Sequence, residues 1–82
     1  MSLVKKGMRV VGDPRHLPTQ KGYFGCRRGV VVSLTGIGVE VEFDLIGRER
    51  KKKRKNLPID WFVQEATFNK WVEEKHIEDP YG

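Results

Sequence analysis

The chain has too few cysteines to brace itself. Cys26 stands alone, which excludes an internal disulfide, and one Cys with two widely separated His provides no metal-ligand spacing. No metal or other cofactor is expected. Long apolar runs are missing as well. No stretch nears the roughly 18 residues needed to cross a bilayer, and Met1-Ser2-Leu3-Val4-Lys5-Lys6 holds no apolar segment of signal-peptide length. These absences predict a soluble, cytoplasmic protein with no membrane partner. Internal repeats are lacking, and so is size. A chain of 82 residues buries only about 60% of the surface its unfolded form exposes, which allows one domain, residues 1–82, with one modest core. A deep cavity walled by the chain would consume that core, so a non-enzymatic role is expected.

Charge is what the chain has in quantity, and it is unevenly placed. The net charge is +5, yet residues 1–55 carry fourteen Lys and Arg against five acids, whereas residues 56–82 carry two against six. Such a polarised chain attracts acidic partners to one part of its surface only.

Hydrophobic periodicity predicts strands. Ile37, Val39, Val41 and Phe43 alternate with Gly38, Glu40, Glu42 and Asp44, the pattern of a strand with one buried face. Gly29-Val30-Val31-Val32-Ser33-Leu34 precedes it as a β-branched strand, and Thr35-Gly36 supplies a tight connection. Upstream, Gly7-Met8-Arg9-Val10-Val11-Gly12 reads as a first strand, followed by a long loop from Asp13 to Gly25. Downstream, Leu57-Pro58-Ile59-Asp60 reads as a turn or one 3₁₀ turn, and Trp61-Phe62-Val63-Gln64-Glu65 as a closing strand. Phe68, Trp71, Val72 and the stem of Lys75 fall at helical spacing, with Thr67 placed to cap a helix over 67–77; another strand is the alternative there. Residues 78–82 read as a frayed end.

This layout resembles the small SH3-like barrels, the KOW-type members in particular. The likeness rests on the short strand Gly7 to Val11, the long polar loop, the glycine-spaced Gly25-Cys26-Arg27-Arg28-Gly29-Val30-Val31, the alternating third strand, a variable hairpin, and Leu57 to Val63 as turn and last strand. It spans residues 7–65, with the helix as an addition. The resemblance implies a mainly β fold, a small barrel of four to five antiparallel strands with a short C-terminal helix. It also implies a binding role, since members bind RNA or ribosomal and transcription components while others dock protein partners. A fourth strand should lie between Asp44 and Leu57, where only Leu45 and Ile46 are large and apolar, so a strand there is expected to be exposed or at an edge.

Within that interval, Arg48-Glu49-Arg50-Lys51-Lys52-Lys53-Arg54-Lys55 packs seven cations around one carboxylate. One reading is a basic hairpin that contacts RNA or DNA phosphates with little sequence specificity, since no base-reading residue types are concentrated there. The competing reading is structural: folded back on the third strand, the run would set alternate cations against Glu40, Glu42 and Asp44 and protect a sheet edge. Three carboxylates cannot neutralise seven cations, so part of the run stays free on either reading. An acidic protein is the alternative partner, in which case the chain is an interaction module or small accessory subunit, self-association included.

Other candidates are weaker. Arg27 and Arg28, with Lys21, Tyr23 and Phe24 just before them, could hold a phosphate and stack a base, or else Tyr23 or Phe24 plugs the loop. Asp13, His16 and Cys26 carry catalytic chemistry, but a loop rich in Pro and Gly fixes no geometry between them. Cys26 is expected to be a small buried or half-buried strand residue. Trp61, Phe62, Phe68 and Trp71 are expected to join the helix to the sheet; an exposed Trp71 would mark a partner interface.

Overall fold

The alternating residues do build a sheet. The computed structural model, which describes residues 4–19 and 23–81, contains five antiparallel strands, β1 (Arg9–Gly12), β2 (Arg28–Thr35), β3 (Gly38–Phe43), β4 (Arg54–Leu57) and β5 (Phe62–Gln64), followed by the helix α1 (Glu65–Glu73). The order across the sheet is β4-β3-β2-β1-β5. The first four strands form a meander, and β5 returns beside β1 after one 3₁₀ turn at Ile59–Trp61. The expected mainly β fold with a short C-terminal helix is thus what forms, and the basic segment contributes to the edge strand β4. Among the described residues no helix is long and apolar enough to cross a membrane.

Local chemistry explains the strand boundaries. In β3, Val39, Val41 and Phe43 are fully buried while Glu40 and Glu42 lie on the other face. Ile37, expected on that buried face, is instead 77% exposed. Thr35 pairs directly with Gly38, so Gly36 and Ile37 are consumed by the turn and the strand starts one residue late. Gly38 must be glycine for a tertiary reason: a Cβ there would stand 2.1 Å from the carbonyl oxygen of Leu57, where the chain leaves β4. Between Val31 and Ser33 the register slips by one residue, a bulge at Val32 that bends β2.

Two apolar layers form on opposite faces. One contains Val10, Leu17, Phe24, Val31, Val39, Val41, Phe43 and Phe62, with Leu57, Ile59 and Trp61 packed against it. The other is small, with Val11, Cys26 and Phe68 at its centre and Trp71, Val72, Ile77 and Tyr81 around them. Because successive side chains of a strand point to opposite faces, Val10 serves the first layer and Val11 the second. The four aromatics of the C-terminal third therefore do not form one group. Trp61 and Phe62 belong to the first layer and Phe68 and Trp71 to the second, divided by the alternation at Phe62 and Val63.

The helix begins two residues earlier than expected. Gln64, still extended, is its N-cap and makes no side-chain capping bond, so Thr67 lies inside the helix rather than capping it. Glu65 opens the first turn, where a negative charge suits the helix dipole, and ion-pairs with Arg9 and Arg28. Helix geometry stops at Glu73, and Lys75 adopts a left-handed φ of 63° that turns the chain away before residue 77. Residues 79 and 81 of the tail are bonded back to the fold. Asp79 accepts a 2.6 Å hydrogen bond from Arg28, and the Tyr81 hydroxyl donates to the Thr19 carbonyl at 3.4 Å.

Phe68 is the one fully buried side chain of α1. Phe68→Ala is expected to cost about 3–5 kcal/mol, read as a lower midpoint in urea denaturation; a change below about 1 kcal/mol would mean that the second layer contributes little.

Candidate functional site

Antiparallel pairing brings two irregular segments to one end of the sheet. Val11 pairs with Arg28, Gly29 with Phe43 and Glu42 with Arg54, so the long β1–β2 loop and the basic β3–β4 loop leave the sheet side by side. The first loop is organised by Asp13, which is 1% exposed. Its carboxylate accepts hydrogen bonds from the Arg15 backbone and guanidinium, and its carbonyl accepts from the backbone N–H groups of His16 and Leu17. Burial alone would raise the Asp13 carboxyl, but these hydrogen bonds from Arg15 overcome it and hold the group below its ordinary range.

The loop closes with a sharp turn at Gly25 and Cys26. Cys26 takes a φ of 62°, unusual for a residue with a Cβ, and Gly12 and Arg27 bond to each other's neighbourhood across the turn: the Cys26 N–H donates to Gly12 and the Gly12 N–H to Arg27. This reversal sends Phe24 into one apolar layer and Cys26 into the other.

Arg27 does not present its charge to solvent. It is 3% exposed, its guanidinium lying over the rings of Phe24 and Phe43 at 5.6 and 5.8 Å. It donates to the Asp44 carbonyl at 2.8 Å and to the Glu49 carboxylate at 2.7 Å. Glu49, the single acid of the basic run, also accepts from the Ile46 N–H at 3.1 Å and lies 3.5 Å from Lys53. The hydrogen bond from Arg27 is the main cause that holds the Glu49 carboxyl below its ordinary value. A buried cation thus fixes the basic run through its only carboxylate, Glu49.

Several expected site residues therefore have structural employment. Arg27 is an anchor, not a surface contact. Arg28 is only partly exposed and is spent on Asp79, Glu65 and Asn69, with its guanidinium over Phe68 at 5.3 Å, so it ties helix and tail to the sheet. Phe24 is buried against Phe43, with ring centroids 4.3 Å apart, and cannot receive a base. Tyr23 is half-exposed and available. Lys21 lies outside the described residues. Trp71 is half-buried beneath the Arg15 guanidinium, 5.1 Å from its ring centroid, rather than standing exposed as an interface.

The run itself divides. Only Arg54 and Lys55 enter β4; Arg48 to Lys53 are loop. Of the three carboxylates expected to answer it, only Glu42 does, at 2.8 Å from Arg54 and 3.9 Å from Lys52. Asp44 is taken by Arg9 from β1, whose hydrogen bonds hold its carboxyl below the ordinary range, and Glu40 stands opposite Asn56. Lys55 is on the Val41 side of β4, its ammonium 5.9 Å from the Phe24 ring. Arg48, Arg50 and Lys51 are exposed and have no ion-pair partner among the described residues. They are uncompensated charges at this end of the molecule.

The residues with catalytic chemistry are engaged separately. Asp13 is held by Arg15, His16 stacks parallel to Trp61 with centroids 6.2 Å apart, and Cys26 is 1% exposed with burial pushing its thiol up. The anchoring role of Glu49 went unread in the sequence, although a lone acid inside a run of cations was its visible signal. No protein-family model, curated protein or solved structure matches this chain.

Arg27→Ala is expected to destabilise the fold by about 3 kcal/mol, whereas Arg50→Ser should stay within about 0.5 kcal/mol; chemical denaturation of both variants checks the contrast. Glu49→Gln should lower the melting temperature near neutrality. Since the folded-state pKa of Glu49 lies below its ordinary 4.5, the contribution is complete above that value and disappears as pH falls through the lower one, so the melting temperatures of wild type and variant should converge in acid.

Proposed function

We propose that the protein is a non-enzymatic binding module that contacts nucleic-acid phosphates through its β3–β4 loop, with little sequence specificity. The observation that carries this reading is the position of Arg48, Arg50 and Lys51, exposed and unpaired on a loop that Arg27 and Glu49 hold in place. Lys52, Lys53, Arg54 and Lys55 flank them as exposed cations with weaker or shared commitments. Like charges set within about one Debye length, roughly 8 Å at physiological salt, repel one another, and an anionic partner relieves that repulsion. The strand order, with one 3₁₀ turn ahead of the last strand, supports the likeness to SH3-like, KOW-type modules, and a cytoplasmic setting suits a lone reduced cysteine.

A second reading, docking of a protein partner, is favoured by a different observation. Leu34 and Ile37, at 56% and 77% exposure, stand at the β2–β3 turn, at the other end of the sheet from the basic loop.

Titration of the protein with short RNA and DNA across a salt series separates the two. Phosphate contact requires log affinity to fall linearly with log salt, by about 0.7 per contacted phosphate on single strands. The triple variant Arg48→Ser, Arg50→Ser, Lys51→Ser should flatten that slope by about two. An unchanged slope, or no binding at low salt, would leave the protein-docking reading in possession.

A further inference from the structure

Between the two loops lies a groove of about 820 Å³, within the range of roughly 300–1,000 Å³ typical of ligand sites. Its walls include Tyr23, Arg27, Arg48, Glu49, Lys53 and Tyr81. Three cations thus face one carboxylate, and that carboxylate is already bonded to Arg27 and paired with Lys53. The groove keeps a positive balance. Arg48 has no other partner among the described residues, and the buried Arg27 Nε finds no acceptor.

The aromatic rings differ in freedom. Tyr81 is half-buried, packed against the second apolar layer, and its hydroxyl is tied to the Thr19 carbonyl. Tyr23 is 50% exposed and has neither a hydrogen bond nor a ring partner among the described residues. A free tyrosine face at the mouth of a cationic groove suits a flat, uncharged ring carried between anionic groups.

We infer that this groove takes one unpaired base of a single-stranded nucleic acid, with Tyr23 stacking on the base and Arg48 and Lys53 meeting the flanking phosphates. The inference rests on the phosphate-binding reading and narrows it. Bases inside a duplex are stacked on one another and turn no face to a protein ring, so the groove selects strands over duplexes. RNA and DNA strands share the chemistry of base and phosphate.

The test uses the full chain with a labelled single strand about ten nucleotides long, as RNA and as DNA, and with the matching duplexes, at one fixed low salt concentration. At least one single strand is expected to bind about tenfold tighter than its duplex. Tyr23→Leu should remove about tenfold of that affinity without changing the salt slope, while Tyr23→Phe retains it. Preference for either sugar supports the inference and assigns the strand. Equal affinity for strand and duplex, or an unchanged affinity in Tyr23→Leu, overturns it and leaves phosphate binding intact. Failure of every probe to bind overturns both. Tyr23 is half-exposed and belongs to neither buried apolar layer, so an unaltered melting temperature should accompany the Leu variant and separates loss of binding from loss of fold.

Discussion

A guanidinium in the interior of so small a protein has to be answered by its surroundings, and the answers to Arg27 organise one end of the molecule. The Phe24 and Phe43 rings lie beneath it, the Asp44 carbonyl accepts one hydrogen bond, and Glu49 supplies the countercharge. The partners come from three stretches of chain: Phe24 from the long loop, Phe43 from the end of β3, Asp44 and Glu49 from the basic loop. An ion pair of this kind is weak evidence for net stability, because desolvating the charge opposes the attraction. Its consequence here is geometric. Losing any partner would leave a charge in low dielectric, so the loops that meet at Arg27 are held in one arrangement.

That constraint divides the basic residues into two populations. Arg9, Arg27 and Arg28 are consumed internally, on Asp44 and Glu65, on Glu49, and on Asp79 respectively. They hold strands, helix and tail together. Arg48, Arg50 and Lys51 have no such employment, although they sit one to two residues from Glu49. Glu42 of β3 is already taken by Arg54 and Lys52, and acidic residues of the C-terminal third such as Glu65 and Asp79 are committed to Arg9 and Arg28. The field at this end of the sheet is therefore positive for a topological reason: Arg9 of β1 diverts Asp44, Glu40 stands opposite Asn56, and of the β3 carboxylates Glu42 meets the run.

Much of the fold was legible because period-two burial is a local property. Val39, Val41 and Phe43 announced β3, and the edge position of the fourth strand followed from the scarcity of apolar residues between Asp44 and Leu57. The helix face was legible too, through Phe68, Trp71 and Val72, but its start was not, since Glu65 is drawn into the helix by Arg9 and Arg28 from other strands. The candidate site was read less well. Arg27 and Arg28 look like surface cations to any local pattern, and nothing in their neighbourhood in sequence reveals Glu49, Asp44 or Asp79 as partners. Phe24 and Tyr23 are adjacent and similar in chemistry, yet the turn at Gly25 and Cys26 buries one ring and exposes the other.

By itself, then, the sequence determined a small mainly β chain with a polarised charge distribution and a run of cations too numerous for its own carboxylates, because composition, alternation and charge count are properties of residues in order. Which cations remain available was decided by tertiary structure. Ion pairs here join residues up to 56 positions apart, and the choice among acids for each arginine depends on strand register and on which face a side chain takes. A one-residue bulge at Val32 or a left-handed turn at Cys26 changes those choices without changing the composition at all.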